Sequence, residues 1–258
     1  KAMSLAELAD YYSYLNDKML ANWKAPIIND YICMIFFGMI KKMTAKWIQN
    51  VESDSLQNDL VAGEGDVLST EPTNELIRMA KKILEGSESE RAQITSRDPE
   101  DLADLYKEGK LSSFVQKEMK GYLDKFGFRC VNELKLEEDD LFEDPSFCFS
   151  VLRSYLNNPN LIQNTDHDGS ALRIKAEKVV KENLSLLKLL IFNWILKHTR
   201  AAVKRRENLR FDRTKVFGIA RRIFRAMGAN LVKLDKLEQE KDIFYLSVEE
   251  ILAQVEGR

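Results

Sequence analysis

Glycine, proline, cysteine and histidine are all scarce in this chain of 258 residues. Eleven glycines and five prolines supply too few breaks for the many turns of an all-β fold and favour long helices. Two histidines and three cysteines do not make a zinc centre, because Cys33, Cys130 and Cys148 lie far apart and in no paired-ligand spacing. Scattered and odd in number, they read as free, partly buried thiols of a reducing cytoplasm. No G-x-x-x-x-G-K-[ST] loop, no G-x-G-x-x-G fingerprint and no G-x-S-x-G elbow occurs, so the usual phosphate cradles and the hydrolase nucleophile are missing. No secretory leader is visible. The strongest apolar run, residues 31–40 (YICMIFFGMI), has about half the length needed to cross a bilayer and reads as a buried helix. A net charge of −2 sets up no global field toward nucleic acid.

What is present is the composition of a folded globular protein, 45% hydrophobic and 31% charged, long enough to bury a substantial core. The expected fold is all-α, a multi-helix bundle with long C-terminal helices and a minor extended segment near 242–246. Residues 1–258 read as a single helical domain, with any sub-boundary in the loop 157–170. The start at Lys1 fits an excerpt of a larger multidomain polypeptide. Ser4 and Glu7 form a capping box that opens a helix running to about Trp23, and Pro26 separates it from a second helix through Trp47. That second helix is apolar on most sides and is expected at the centre of the bundle. Residues 57–69 read as a loop before a helix over 72–84. Asp98-Pro99 and Asp144-Pro145 repeat one start signal, an N-cap aspartate before a proline at the first helical position. A helix fits 113–125, residues 157–169 read as a loop, and 170–234 as one very long helix or two. Ser247 and Glu250 form a second capping box.

The basic segment 200–225 raises the question of chemistry. With Leu209 at the centre of a helical wheel, Val216, Ala220, Ile223, Phe224 and Met227 form an apolar stripe within about 60°. Arg206 and Arg213 fall at or inside its edge, where a guanidinium must be paired. Either carboxylates of the bundle pair with them, with Asp30, Glu64, Glu71 and Glu133 as candidates, or they bind an anion as arginine forks do, or they simply lie at the surface. Arg213 is expected to be largely buried, with Glu133 and Asp30 its leading partners. The remaining cations are spread around the helix, which disfavours nucleic-acid binding. Tyr31, Met34 and Phe37, within a cluster that includes Phe36, Met39 and Met43, read as core or as the lining of an adaptable apolar pocket. The acidic Gly63-Glu64-Gly65-Asp66 element reads as a turn, His167 as part of a flexible loop and His198 as a capping or packing residue.

Several segments, in order along the chain, resemble one family. They are NWKAP followed by Asn29-Asp30 and MIFFG, LVAGEGDVLSTEP at 60–72, FGFRCVNELKLE at 126–138, and the stretch 200–250 that ends in DIFYLSVEE. Together they look like the helical middle region of phosphoenolpyruvate-utilising phosphotransferases, the group of phosphoenolpyruvate synthase-like and rifampin phosphotransferase-like proteins. The resemblance implies a substrate-binding or spacer domain of an ATP-dependent enzyme, with a docking module as the alternative. It implies flanking ATP-binding and phosphohistidine domains as partners in the same polypeptide, a small-molecule substrate, and ATP and Mg as cofactors of the parent but not of this segment. No catalytic residue and no metal ligand is expected here, and neither nucleic acid nor membrane is an expected partner. Arg129 and Glu133, in the G-x-R-x-x-x-E-L segment, join Arg206, Arg213 and Asp30 as candidate substrate- or anion-binding residues. Phe128 stands where rifampin phosphotransferases often carry histidine, which argues against carrying over drug recognition.

Overall fold

The computed structural model describes residues 3–48, 55–63, 68, 70–165 and 169–255. Among them the chain forms twelve α-helices and no strand. In chain order these are α1 (Leu5–Leu15), α2 (Lys24–Trp47), α3 (Leu56–Asp59), α4 (Glu71–Glu85), α5 (Glu88–Thr95), α6 (Pro99–Lys107), α7 (Ser113–Phe126), α8 (Ser146–Asn157), α9 (Asn160–Thr165), α10 (Gly169–Asn183), α11 (Leu186–Lys233) and α12 (Val248–Val255). They gather into two compact units: one from Lys1–Trp23, Pro99–Phe149 and Asp212–Arg258, the other from Lys24–Asp98 and Ser150–Phe211. The loop considered as a sub-boundary, 157–170, falls inside the second unit.

Local signals set most helix starts. Ser4 Oγ accepts from Glu7 N at 3.3 Å while Ser4 N donates to Glu7 Oε2 at 2.7 Å, so the box at α1 is closed in both directions. The box at α12 closes the same way, with Ser247 N donating to Glu250 Oε2 at 2.7 Å. Asp144 Oδ1 accepts from Ser146 N at 3.0 Å and caps α8. Its counterpart Asp98 instead accepts from Arg153 Nη1 at 2.9 Å.

In the first unit, Leu8, Ala9 and Leu15 of α1 pack with Ala220, Ile223, Phe224, Met227 and Leu231 of α11 and with Ile243 and Ile251. Val216, Ala220, Ile223, Phe224 and Met227 of the stripe read from the sequence lie on this surface, whereas Leu209, at its centre, is half-buried in the second unit. Tyr12 tilts onto Phe224 with ring centroids 4.8 Å apart. Gly218 and Gly228, which a sequence reading would suspect as helix breaks, lie inside α11. A Cβ on Gly218 would sit 2.8 Å from Phe128 Cβ, and one on Gly228 would sit 2.2 Å from the Glu240 carbonyl oxygen. Each glycine marks a point where another backbone presses on the helix. In the second unit, Ile40 and Ile48, Leu56 and Leu60, Ala176 and Val180, and Phe192, Ile195 and Leu196 of α11 form one core. α4 turns Leu76, Ile77, Met79, Ala80 and Ile83 inward from an otherwise polar helix.

Four expectations need correction. α2 is not central: only Asn29, Cys33, Ile40 and Thr44 of it are buried, while Tyr31 is 63% and Met34 70% exposed. Apolar residues on every side of a helix say that each side can be covered, not that this chain covers it. The segment near 242–246 is not extended up to Tyr245 but a 3₁₀ helix, Glu240–Tyr245, with extended dihedrals only at Leu246. Among the described residues no strand stands beside it, so i→i+3 bonds such as Asp242 N to Gln239 O, 3.1 Å, satisfy its backbone. Part of the 157–169 loop is the short helix α9, which inserts Ile162 into the interior. The first helix ends earlier than Trp23, passing from α1 into a π turn over Asn16–Leu20. The readings for Glu64, Gly65, Asp66 and His167 concern positions outside the described residues.

Candidate functional site

Most of the candidate residues from the second unit gather where α2 lies along the first half of α11. Asn29 Nδ2 donates to the Ala202 carbonyl at 3.3 Å, and Thr199 Oγ1 donates to the Phe36 carbonyl at 3.3 Å. The two helices are therefore neighbours running in opposite directions. One turn along, Arg206 Nε stands 3.3 Å from Asp30 Oδ1. Asp30 is thus the partner of Arg206, but both side chains are about half exposed, so this is a surface pair of small energetic weight. Cys33 lies beside it: burial pushes the thiol up, the Arg206 charge opposes that, and Asp30 adds to it. Phe36 stacks against His198 and Trp194, with centroids 5.4 and 6.2 Å away. His198 has the packing role expected for it.

The apolar candidates surround this polar notch without enclosing it. Ile27, Tyr31 and Met34 repeat at i, i+4 and i+7, as do Ile28, Ile32 and Ile35 along the adjacent row, and all six are exposed. Phe37 is half-buried. α2 thus shows solvent a broad apolar face, of the kind that on folded proteins marks an interaction surface.

The remaining candidates belong to the first unit and are tied into its scaffold. Arg129 Nε and Nη2 donate to Glu133 Oε1 at 3.0 and 2.7 Å, and Glu133 Oε2 accepts from Thr214 Oγ1 at 2.9 Å. Glu133 is thus held by Arg129 and Thr214, and no pair with Arg213 forms. The expectation for Arg213 fails: it is half-buried, has no carboxylate partner among the described residues, and leaves its buried Nε without a hydrogen bond.

The arginines that do enter the core are ones the wheel did not single out. Arg221 is 1% exposed. Its Nη2 donates to the Lys135 carbonyl at 2.6 Å and to Cys130 Sγ at 2.9 Å, and its Nη1 to the Phe128 carbonyl at 3.3 Å. Arg225, 7% exposed, donates to Glu143 and, at 2.6 Å, to Asp139 Oδ1. Burial pushes the Asp139 carboxyl up, but hydrogen bonds and charge from Lys241 and Arg225 outweigh it and hold it at about 2. Glu143 goes the other way: burial, with the neighbouring Asp140 and Asp139, raises it despite Arg225. The one available signal was the acidic run 137–144 (EEDDLFED), which needs cations from elsewhere in the fold.

Among the described residues no three or more His, Cys, Asp or Glu side chains cluster so as to hold a metal ion. Among the described residues no helix is long and apolar enough to cross a membrane.

The sequence model of the rifampicin phosphotransferase fourth domain matches residues 29–207. The chain belongs to this family. The match to the rifampicin phosphotransferase fourth domain takes in Asp30, Tyr31, Met34, Phe37, Arg129, Glu133 and Arg206 and stops before Arg213, Arg221 and Arg225. Apart from Ile27 and Ile28, the α2–α11 face therefore lies inside the family region, and the buried arginines of α11 lie beyond it. A search of curated proteins finds no match.

Proposed function

We propose that this fourth-domain chain is the helical substrate-binding domain of an ATP-dependent, phosphoenolpyruvate synthase-like phosphotransferase of the cytoplasm. The acceptor molecule lies on the outer face of α2, and flanking domains of the same polypeptide bind ATP with Mg and carry the phosphohistidine. One observation supports the reading above others: an uncovered apolar face of α2, with Tyr31 and Met34 more than half exposed, borders the Asp30–Arg206 pair. Such a face gives area to a bulky apolar molecule, and the ion pair gives a polar group of that molecule something to bond. Phe128, in place of the histidine common in rifampin phosphotransferases, favours an acceptor other than the drug.

A docking role is the second reading, favoured by the openness of the same face, which suits the surface of another domain as well as a ligand. Fluorescence titration of Trp194 separates the two. Binding of a bulky aromatic alcohol that saturates and is lost in Tyr31→Glu supports the acceptor reading. No saturable small-molecule binding, together with protection of α2 amides from hydrogen exchange when the flanking domains are added, replaces it with docking.

A further inference from the structure

We propose that the cleft between α10 and the first half of α11 binds a small oxyanion-bearing molecule with an apolar body, of the phosphate-monoester class. The cavity measures about 730 Å³, within the range of small-molecule sites. Lys181 of α10 and Lys197, Arg200 and Lys204 of α11 line it against one carboxylate, Glu177. The three α11 cations are spaced i, i+3 and i+7, which places them on one side of that helix. The chain as a whole carries −2, so this concentration of positive charge is local and not a general basicity.

The cations differ in how they are held. Arg200 is fixed to the wall: Nε and Nη2 donate to the Leu60 carbonyl at 2.9 and 2.6 Å, and Nη2 also reaches Glu177 Oε1 at 2.7 Å. That contact engages the only carboxylate among the described lining residues. Lys181 on α10 and Lys197 on α11 are both exposed and form no ion pair with any described residue. Val180 and Leu196, both buried, supply an apolar floor. A concave surface with low-dielectric walls focuses the field of its charges, and an anion entering it relieves their mutual repulsion. An arginine fixed in advance and two adjustable ammonium groups suit an oxyanion whose apolar part rests on the floor. The α2 face takes no part, so this site stands or falls separately from the acceptor reading.

The test is isothermal titration of the whole chain with phenyl phosphate and, as its uncharged counterpart, benzyl alcohol. Lys197→Glu and Lys181→Glu alter the cleft at exposed positions, and Lys46→Glu makes the same charge change on exposed α2. Circular dichroism checks that each variant keeps its helices. The expected result is saturable binding of phenyl phosphate, weaker by about tenfold or more for benzyl alcohol and for either cleft variant, and unchanged in Lys46→Glu. Absence of saturable binding, equal affinity for the alcohol, or equal weakening by Lys46→Glu overturns the proposal.

Discussion

Arg221 brings a full charge into a site where it meets two carbonyl oxygens and a thiol instead of a carboxylate. Arg221→Ala leaves those acceptors unpaired around a void, and the expected loss in urea unfolding is about 3 kcal/mol or more. Arg213→Ala removes a half-buried side chain with no carboxylate partner among the described residues, so its expected change stays within about 0.5 kcal/mol. Equal effects at the two positions would show that the buried contacts of Arg221 carry little of the stability. Acid titration reads the neighbouring cluster. Asp139 titrates at about 2 in the folded chain against an ordinary 3.8, so its stabilising effect is complete above 3.8 and fades as pH falls toward 2. Glu143 is raised above its ordinary 4.5 and contributes with the opposite sign. Its protonation favours the folded chain as pH falls through the raised value toward 4.5. The expected profile is a slight gain in mild acid followed by a loss between about 4 and 2. In Asp139→Asn the loss should flatten; an unchanged slope would assign it to other carboxylates.

At the scale of the element, the two kinds of helix glycine give opposite expectations. Gly121 in α7 has nothing within 4 Å of an added Cβ, so Gly121→Ala should stabilise by about 0.5–1 kcal/mol through propensity alone. Gly228→Ala places its methyl against the Glu240 carbonyl and should destabilise, because the backbone of the 3₁₀ segment must move. Thermal melts of the pair check the contrast; a stabilising Gly228→Ala would mean that the contact yields freely. These glycines also show how far the sequence could be read. Helix starts at Ser4, Asp144 and Ser247 were legible because a cap is made within a few residues. The stretch 170–234 reads as one helix or two, and the break falls between α10 and α11 at 184–185, not at Gly218 or Gly228, whose neighbours Phe128 and Glu240 no local pattern announces. The same limit applies to the candidate site. The Arg206–Asp30 pair is one of several partnerships the sequence allows, while the exposure of Tyr31 and Met34 depends on what α2 lacks as a neighbour, which no periodicity encodes. Arg221 was missed because its partners are mostly backbone carbonyls, which have no sequence signature.

For the whole molecule, the absence of a phosphate loop from the sequence and the packing of His198 against Phe36 and Trp194 lead to one expectation. Incubated with radiolabelled ATP or phosphoenolpyruvate, the chain takes up no stable phosphate. Acid-labile label on His198 would contradict this and give the domain a chemistry of its own.

The division of the chain into units also governs the order in which they can form during synthesis. The second unit is complete once Phe211 has been made. The first cannot close until Ile251 follows, because Leu8 and Leu15 share their core with Phe224 and Ile251. At ordinary translation rates the wait lasts on the order of a few seconds. Throughout it, the apolar side of α1 is outside the ribosome without its partners, a natural target for a chaperone. A nascent chain held once Phe211 has emerged from the ribosome, but before Ile251 has, should therefore protect α4 from protease while α1 remains open to cleavage.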